Sequence, residues 1–242
     1  MPGIVRKFRN KAAILGEVML PFRNVSFSQH GEDILVETAL HLMGITVPFY
    51  VDIGTNHPIR FSNTYRFYRH GHHGACVEPN PILCEQIRKV RPRDRLFPVG
   101  IGAVSHESMT FFRFDNPGMS TFSESQATEI ERSSPFRIVE RMPVEVLDVN
   151  SLFKRLDRPV DFLSVDCEGL DLEILNAINF DANRPAVICV ESALPAPDAG
   201  QQSRLGAKMP EFTQLLNPRG YWCFADTYVN SIFVDGRRLS IG

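Results

Sequence analysis

The chain has 242 residues, of which 43% are hydrophobic and 22% charged, enough apolar surface for one α/β domain of ordinary size and too much for wholesale disorder. A formal net charge of -2 and a pI near 6.4 carry no electrostatic footprint for a phosphate backbone, so nucleic acid is set aside as a partner. No apolar run approaches the roughly 18 residues that would make a transmembrane segment. The five cysteines include no C-x-x-C pair and read as reduced core residues, which favours a cytoplasmic compartment.

In chain order, residues 1–27 read as an N-terminal helical arm: Arg6, Lys7, Arg9 and Lys11 precede an apolar stretch interrupted by Gly16 and Glu17. Packing, a membrane surface, or a homo-oligomer contact are the roles open to it. Residues 28–242 form the main domain. Asp33–Leu42 has helical spacing through Ile34, Leu35, Ala39 and Leu42, and Phe49–Ile53 is a short strand closed by Gly54-Thr55-Asn56. Asn63–His70 is helical, Gly74–Val77 is a strand, and Ile82–Val90 is helical again. The next strand runs from Leu96 to Val99 and on through Gly100-Ile101-Gly102; Met109–Phe114 alternates as a β segment, and polar Asp115–Pro135 reads as loop or lid. A strand at Val144–Val146 leads to a helix from Asp148 to Leu156, a strand at Asp161–Val165, a helix at Gly169–Ile178 and a strand at Ala186–Val190. The chain closes with a helix at Pro210–Leu216 and an antiparallel pair, Tyr221–Ala225 with Ser231–Val234. Strands alternating with helices predict a mostly parallel sheet with helices on both faces.

In open sheets of this kind ligands bind beyond the carboxyl ends of the strands, where this sequence places Asp52, Glu78, Gly102, Asp166 and Glu191. An acidic side chain after the second strand suits both hydroxyls of a ribose, which points to Glu78. The first loop, Asp52–Pro58, has one glycine, Gly54. It therefore lacks the G-x-G-x-x-G pattern built for a pyrophosphate, which disfavours dinucleotides.

Six ordered segments, S-Q-H-G-E-D (28–33), F-Y-V-D-I-G-T-N-H-P (49–58), S-N-T (62–64), G-A-C-V-E-P-N-P (74–81), D-F-L-S-V-D-C-E-G-L-D-L-E-I-L (161–175) and N-S-I-F-V (230–234), resemble the FkbM family of S-adenosylmethionine-dependent methyltransferases. The resemblance implies a class I methyltransferase (Rossmann-like) fold: a mostly parallel seven-stranded sheet with a C-terminal antiparallel hairpin. It also implies an acceptor hydroxyl on a sugar, glycan or other natural product. By position it assigns Asp52, Gly54 and Asn56 to the methionine end of the cofactor, Glu78 to the ribose with Asn80 nearby, and Gly102 and Ala103 to the adenine. Gln29, Asp33, Ser62 and Thr64 are taken as further cofactor contacts, with helix capping the other reading of Gln29 and Asp33. His57-Pro58 departs from the small residues usual in this loop.

Methyl transfer to an alcohol needs alignment of nucleophile, carbon and sulfur, and a group to take the proton. Asp166, Glu168 and Glu191 stand where such a base is expected, with His30 or His57 as alternatives, and Asp166 is taken as a cofactor contact as well. A divalent cation held by the carboxylates is the less favoured reading. His70, His72 and His73 fall in a helix-to-strand turn rather than at a strand exit, and Trp222 is expected to pack on the sheet. Asp226, Tyr228 and Asn230, with Met119-Ser120-Thr121, are candidates for recognising a small-molecule or glycan acceptor. N- or C-methylation, or a non-catalytic binding subunit on the same scaffold, are the competing readings.

Overall fold

The computed structural model describes residues 24–167, 169–193 and 207–239. The helical arm expected at the N-terminus thus lies almost wholly outside the described residues, as does Glu168. The elements are α1 (Glu32–Leu42), β1 (Tyr50–Ile53), α2 (Tyr65–Arg69), β2 (Gly74–Val77), α3 (Pro81–Val90), β3 (Arg95–Phe97), β4 (Gly100–Gly102), β5 (His106–Phe114), α4 (Glu124–Ser133), β6 (Ile138–Asp148), α5 (Val149–Lys154), β7 (Phe162–Val165), α6 (Asp171–Ala177), β8 (Val187–Glu191), α7 (Pro210–Leu216), β9 (Tyr221–Asp226) and β10 (Asn230–Asp235).

Seven strands form the main sheet in the order β3-β2-β1-β7-β8-β10-β9. The first five are parallel, and β10 runs antiparallel to both β8 and β9, the expected C-terminal hairpin. Every residue of β1, β2 and β7 is buried, as continuous apolar strands covered on both faces require. Side chains alternate between faces. Val51, Ile53, Leu163 and Val190 pack with Leu152, Ile174 and Phe212 of α5, α6 and α7; Tyr50, Phe162, Cys189 and Ile232 pack with Val36, Leu40 and Phe67 of α1 and α2.

The sequence expectation fails beyond β3. That strand stops at Phe97, before Pro98, which has no N–H for a ladder, and Gly100–Gly102 instead pairs with β6 in a second sheet of order β4-β6-β5. Strands β5 and β6 are longer than predicted because their outer halves, H-E-S-M-T and I-V-E-R-M-P, are mostly exposed and carry no apolar run or alternation to mark them as strand. The polar segment after β5 holds a helix, α4, capped by Ser123, whose side chain accepts from Gln126 N. Trp222 does not pack inside the sheet; it is 48% exposed on β9 and lies against Gly236.

Asp148 links the two sheets: Oδ1 caps α5 by accepting from Ser151 N at 3.0 Å, and Oδ2 accepts from Ser105 Oγ at 2.7 Å. The Ser151 hydrogen bond holds its pKa below the ordinary value, so this contribution is present at neutral pH and is lost as pH falls through the lowered value. Asp148→Ala should cost about 1 kcal/mol, read as a lower urea midpoint with an unchanged slope.

Candidate active site

The exits of β1, β2 and β7 open on one cavity, lined there by Ile53 and Gly54, Val77 and Glu78, and Asp166 and Cys167, at the strand ends where open parallel sheets bind ligands. Gly54 turns the chain out of β1 with φ 78°, and the N–H groups of Gly54 and Thr55 both donate to Val77 O at 3.1 Å. The turn passes so close to the exit of β7 that a Cβ on Gly54 would lie 1.8 Å from the carbonyl oxygen of Asp166. Asn56 follows at φ 52°, a left-handed conformation that asparagine tolerates better than most residues. Its N–H donates to Glu78 Oε2 at 2.8 Å.

Glu78, 5% exposed, lines the cavity wall at the exit of β2. Its other oxygen, Oε1, accepts from Asn80 N at 2.8 Å. Burial pushes its pKa up to about 7, against the two backbone amides, which favour the charged form. Each carboxylate oxygen has a further lone pair for a hydroxyl donor.

Asp166 lines the same cavity from the exit of β7. Val165 pairs with Val190 in parallel register, which brings the next residues, Asp166 and Glu191, side by side, and their side chains are hydrogen-bonded. Burial, reinforced by the charge of Asp171, raises the Glu191 pKa.

Glu191 registers opposite Asn230 of β10, and from there a row of hydrogen-bonded polar groups runs to the start of α1. Asn230 Nδ2 donates to Glu32 Oε1 at 3.0 Å and Thr227 Oγ1 to the same atom at 2.6 Å, while His30 N donates to Glu32 Oε2 at 2.8 Å. The exposed ring of Tyr228 stands 5.4 Å from the His30 ring.

Of the residues expected from sequence, Gly54, Asn56, Glu78 and Asp166 meet at the cavity, as do Ser120 and Thr121 of the acceptor candidates. Asp52, Ser62 and Thr64 do not line it; they form a buried polar network on the opposite side of β1. There Thr64 Oγ1 donates to Asp52 Oδ2 at 2.5 Å and accepts from Arg91 Nη2 at 2.9 Å. Arg91 also pairs with Asp94 at 2.7 Å. Burial raises the Asp52 pKa despite the nearby Arg91. The Asn80 side chain caps α3 through Oδ1, leaving Nδ2 buried without a partner among the described residues. Asp33 binds Ser26, Phe27 N and Ser28, a local role close to the capping alternative, and Gln29 is exposed. Gly102 and Ala103 lie just past the wall, which is made by Val99, Gly100 and Ile101. His57 Nδ1 accepts from Ile59 N and Arg60 N, so that nitrogen is not available as a base. His70 pairs with Glu37 at 3.0 Å and His73 packs edge-on against Phe49.

Sequence reading missed Phe111 and Phe122, which reach the cavity from β5 and the segment bridged to it, and Glu32, fully buried beside the chosen Asp33. Only long-range pairing singles them out.

The sheet order β3-β2-β1-β7-β8-β10-β9 and the C-terminal antiparallel hairpin are those of the class I methyltransferase fold. Similar in outline are a TehB-like S-adenosylmethionine-dependent methyltransferase from Corynebacterium glutamicum (TM-score 0.43, 11% identity, 94% of this chain and 97% of that one) and a methyltransferase from Geobacter sulfurreducens (0.41, 12%, 92% and 86%). A third is the magnesium protoporphyrin IX methyltransferase of Synechocystis PCC 6803, solved with bound S-adenosylmethionine (0.36, 10%, 95% and 93%). No curated protein matches the sequence. The model of the methyltransferase FkbM domain matches residues 52–222: the chain belongs to the FkbM methyltransferases, and its methyl donor is S-adenosylmethionine.

The cavity fits that donor. A carboxylate with two unused lone pairs suits the ribose hydroxyls; Leu83, Val99 and Ile101 suit a purine; and Asn56 and Asp166 suit a charged amino-acid end. Among the described residues no helix is long and apolar enough to cross a membrane.

Proposed function

We propose that this enzyme methylates a hydroxyl oxygen of a sugar, glycan or other natural product, with the Asp166–Glu191 pair receiving the hydroxyl proton. The observation behind this reading is that pair itself: two hydrogen-bonded carboxyls at adjacent strand exits, one of them on the cavity wall. An alcohol is a poor nucleophile until its proton is taken, whereas a neutral amine attacks without that help. When bound, the cofactor supplies an electrophilic methyl carbon on a sulfonium. The protein's part is to hold the acceptor oxygen in line with that carbon and to take the proton at a carboxylate oxygen. His30 and Tyr228 are exposed, their rings 5.4 Å apart, and would offer a polyhydroxylated acceptor an aromatic face, with buried Glu32 and Asn230 fixing the segments that carry them. The five cysteines are free thiols, in keeping with a cytoplasmic enzyme. The test is an acceptor screen with methyl-labelled S-adenosylmethionine, the product being read by mass and NMR. Label on a nitrogen or carbon would overturn the oxygen assignment.

In the donor half of the site, Gly54 and Asn56 hold the methionine end and Glu78 the ribose. Glu78→Gln removes a charged acceptor of hydroxyl protons, and S-adenosylhomocysteine affinity should fall about 10- to 100-fold, the worth of roughly 1.5–3 kcal/mol for hydrogen bonds to a charged group. Because binding draws on the ionised carboxylate, wild-type affinity should weaken as pH drops below about 7, while the variant's stays flat. Calorimetry across pH reads both. The stability effect has the opposite sign: the raised pKa favours the ligand-free fold at low pH, and this contribution is lost as pH rises from the ordinary 4.5 through about 7.

A further inference from the structure

The geometry points to Phe122, in the segment that Thr121 bridges to β5, as the aromatic wall against which the adenine of the donor stacks, so that the donor site is completed only by the β4-β6-β5 sheet and the segment attached to it. This inference rests on the assignment of Glu78 to the ribose. With Gly54, Asn56 and Asp166 given to the amino-acid end and Glu78 to the ribose, the apolar part of the lining, which includes Leu83, Val99, Ile101, Phe111 and Phe122, is left for the nucleobase, with Ser120 and Thr121 as the polar groups beside it. Phe122 is the aromatic residue there that the chain has arranged itself to admit. A Cβ on Gly100 would stand 2.6 Å from its Cζ atom, so the glycine in β4 is what lets the ring lie on the strand. The ring is also held in advance of any ligand. It packs on Phe111 with centroids 4.8 Å apart at 50°, and Thr121, the residue before it, exchanges both backbone hydrogen bonds with Phe112 at 2.8 and 3.1 Å. Thr121 Oγ1 donates to Gln126 Oε1 at 2.8 Å and accepts from Ser123 N at 3.1 Å. A preorganised ring loses little freedom when a base stacks on it.

The probes are S-adenosylhomocysteine and adenosine, titrated by calorimetry into the full chain. Phe122→Ala should weaken both by the same factor, about 10- to 100-fold, the usual worth of stacking a base on an aromatic ring; Phe122→Tyr, which keeps the ring, should stay within about threefold. Trp222 is the chain's one tryptophan, so Phe122→Trp combined with Trp222→Phe places a single fluorophore in the cavity. Its emission should be quenched by adenosine and by S-adenosylhomocysteine, a signal that a merely structural side chain would not give. Equal affinity of wild type and Phe122→Ala for both probes, or a fluorophore indifferent to adenosine, would overturn the inference. A wild-type protein that binds neither probe would instead defeat the donor-site reading, and the two failures are distinct. If Phe122→Ala does not fold, the tyrosine variant and the quenching experiment still decide.

Discussion

Gly54→Ala is expected to abolish measurable binding of S-adenosylhomocysteine and to lower the melting temperature by about 5 to 20 °C. Two costs combine. A side chain at φ 78° sits in the left-handed region, a penalty of about 1–2 kcal/mol for a residue with a Cβ. That Cβ would also fall 1.8 Å from the carbonyl oxygen of Asp166, a backbone atom in the turn leaving β7 that cannot swing aside as a side chain could. The exits of β1 and β7 must spread, adding about 1–3 kcal/mol of overpacking. A sum of about 2–5 kcal/mol, at roughly 2–4 °C per kcal/mol for a domain of this size, gives the stated shift. Binding suffers more, because the atoms displaced are those of the cavity wall. Gly71 separates the two costs: it has φ 100° but no atom within 4 Å of an added Cβ, so Gly71→Ala should show the conformational penalty alone and leave ligand affinity unchanged. Equal effects at the two glycines would remove the argument from close approach.

That glycine was legible in the sequence, and so were Glu78 and Asp166, for one physical reason. Each follows directly on a buried four-residue strand, and the strand exits are where an open parallel sheet exposes its ligand groups. What the sequence hid depends on pairings between distant segments. Asp33 and Glu32 are adjacent acids, and nothing local says which one meets Thr227 and Asn230, 195 and 198 positions away. Asp52 and Thr64 carried family-like motifs into a network with Arg91, whose fully buried guanidinium joins helix, turn and strand at a place that no spacing announces. The cap escaped similarly: Gly100 looked like a continuation of β3, and only pairing with β6 shows that Pro98 ends one sheet and that a second begins beyond it. Phe122 then reaches the cavity from a segment whose Ser, Glu and Gly content reads as loop.

With the acceptor in hand from the screen, Glu191→Gln should lower turnover by about 10²- to 10⁴-fold, the range for loss of a positioned base, while S-adenosylhomocysteine affinity changes less than about threefold, since Glu191 is not on the cavity wall. Asp166→Asn should lose a similar factor. Because the two carboxyls adjoin at neighbouring strand exits, they are expected to act as a unit, so the double variant should be little worse than either single one. Multiplied losses would instead mean two independent roles. The pH profile adds a second readout. Burial and the Asp171 charge raise the Glu191 pKa from its ordinary 4.5, so the acid limb of wild-type kcat/KM should lie above the usual carboxylate range and be displaced in Glu191→Gln. Stability gives the control: the raised pKa means that the charged state of Glu191 costs the fold stability as pH rises through it. A glutamine avoids that cost and can still donate to Asp166. At pH 8 the variant should therefore melt no earlier than wild type, so a slow enzyme that is also an unstable one would sink the assignment of this pair to catalysis.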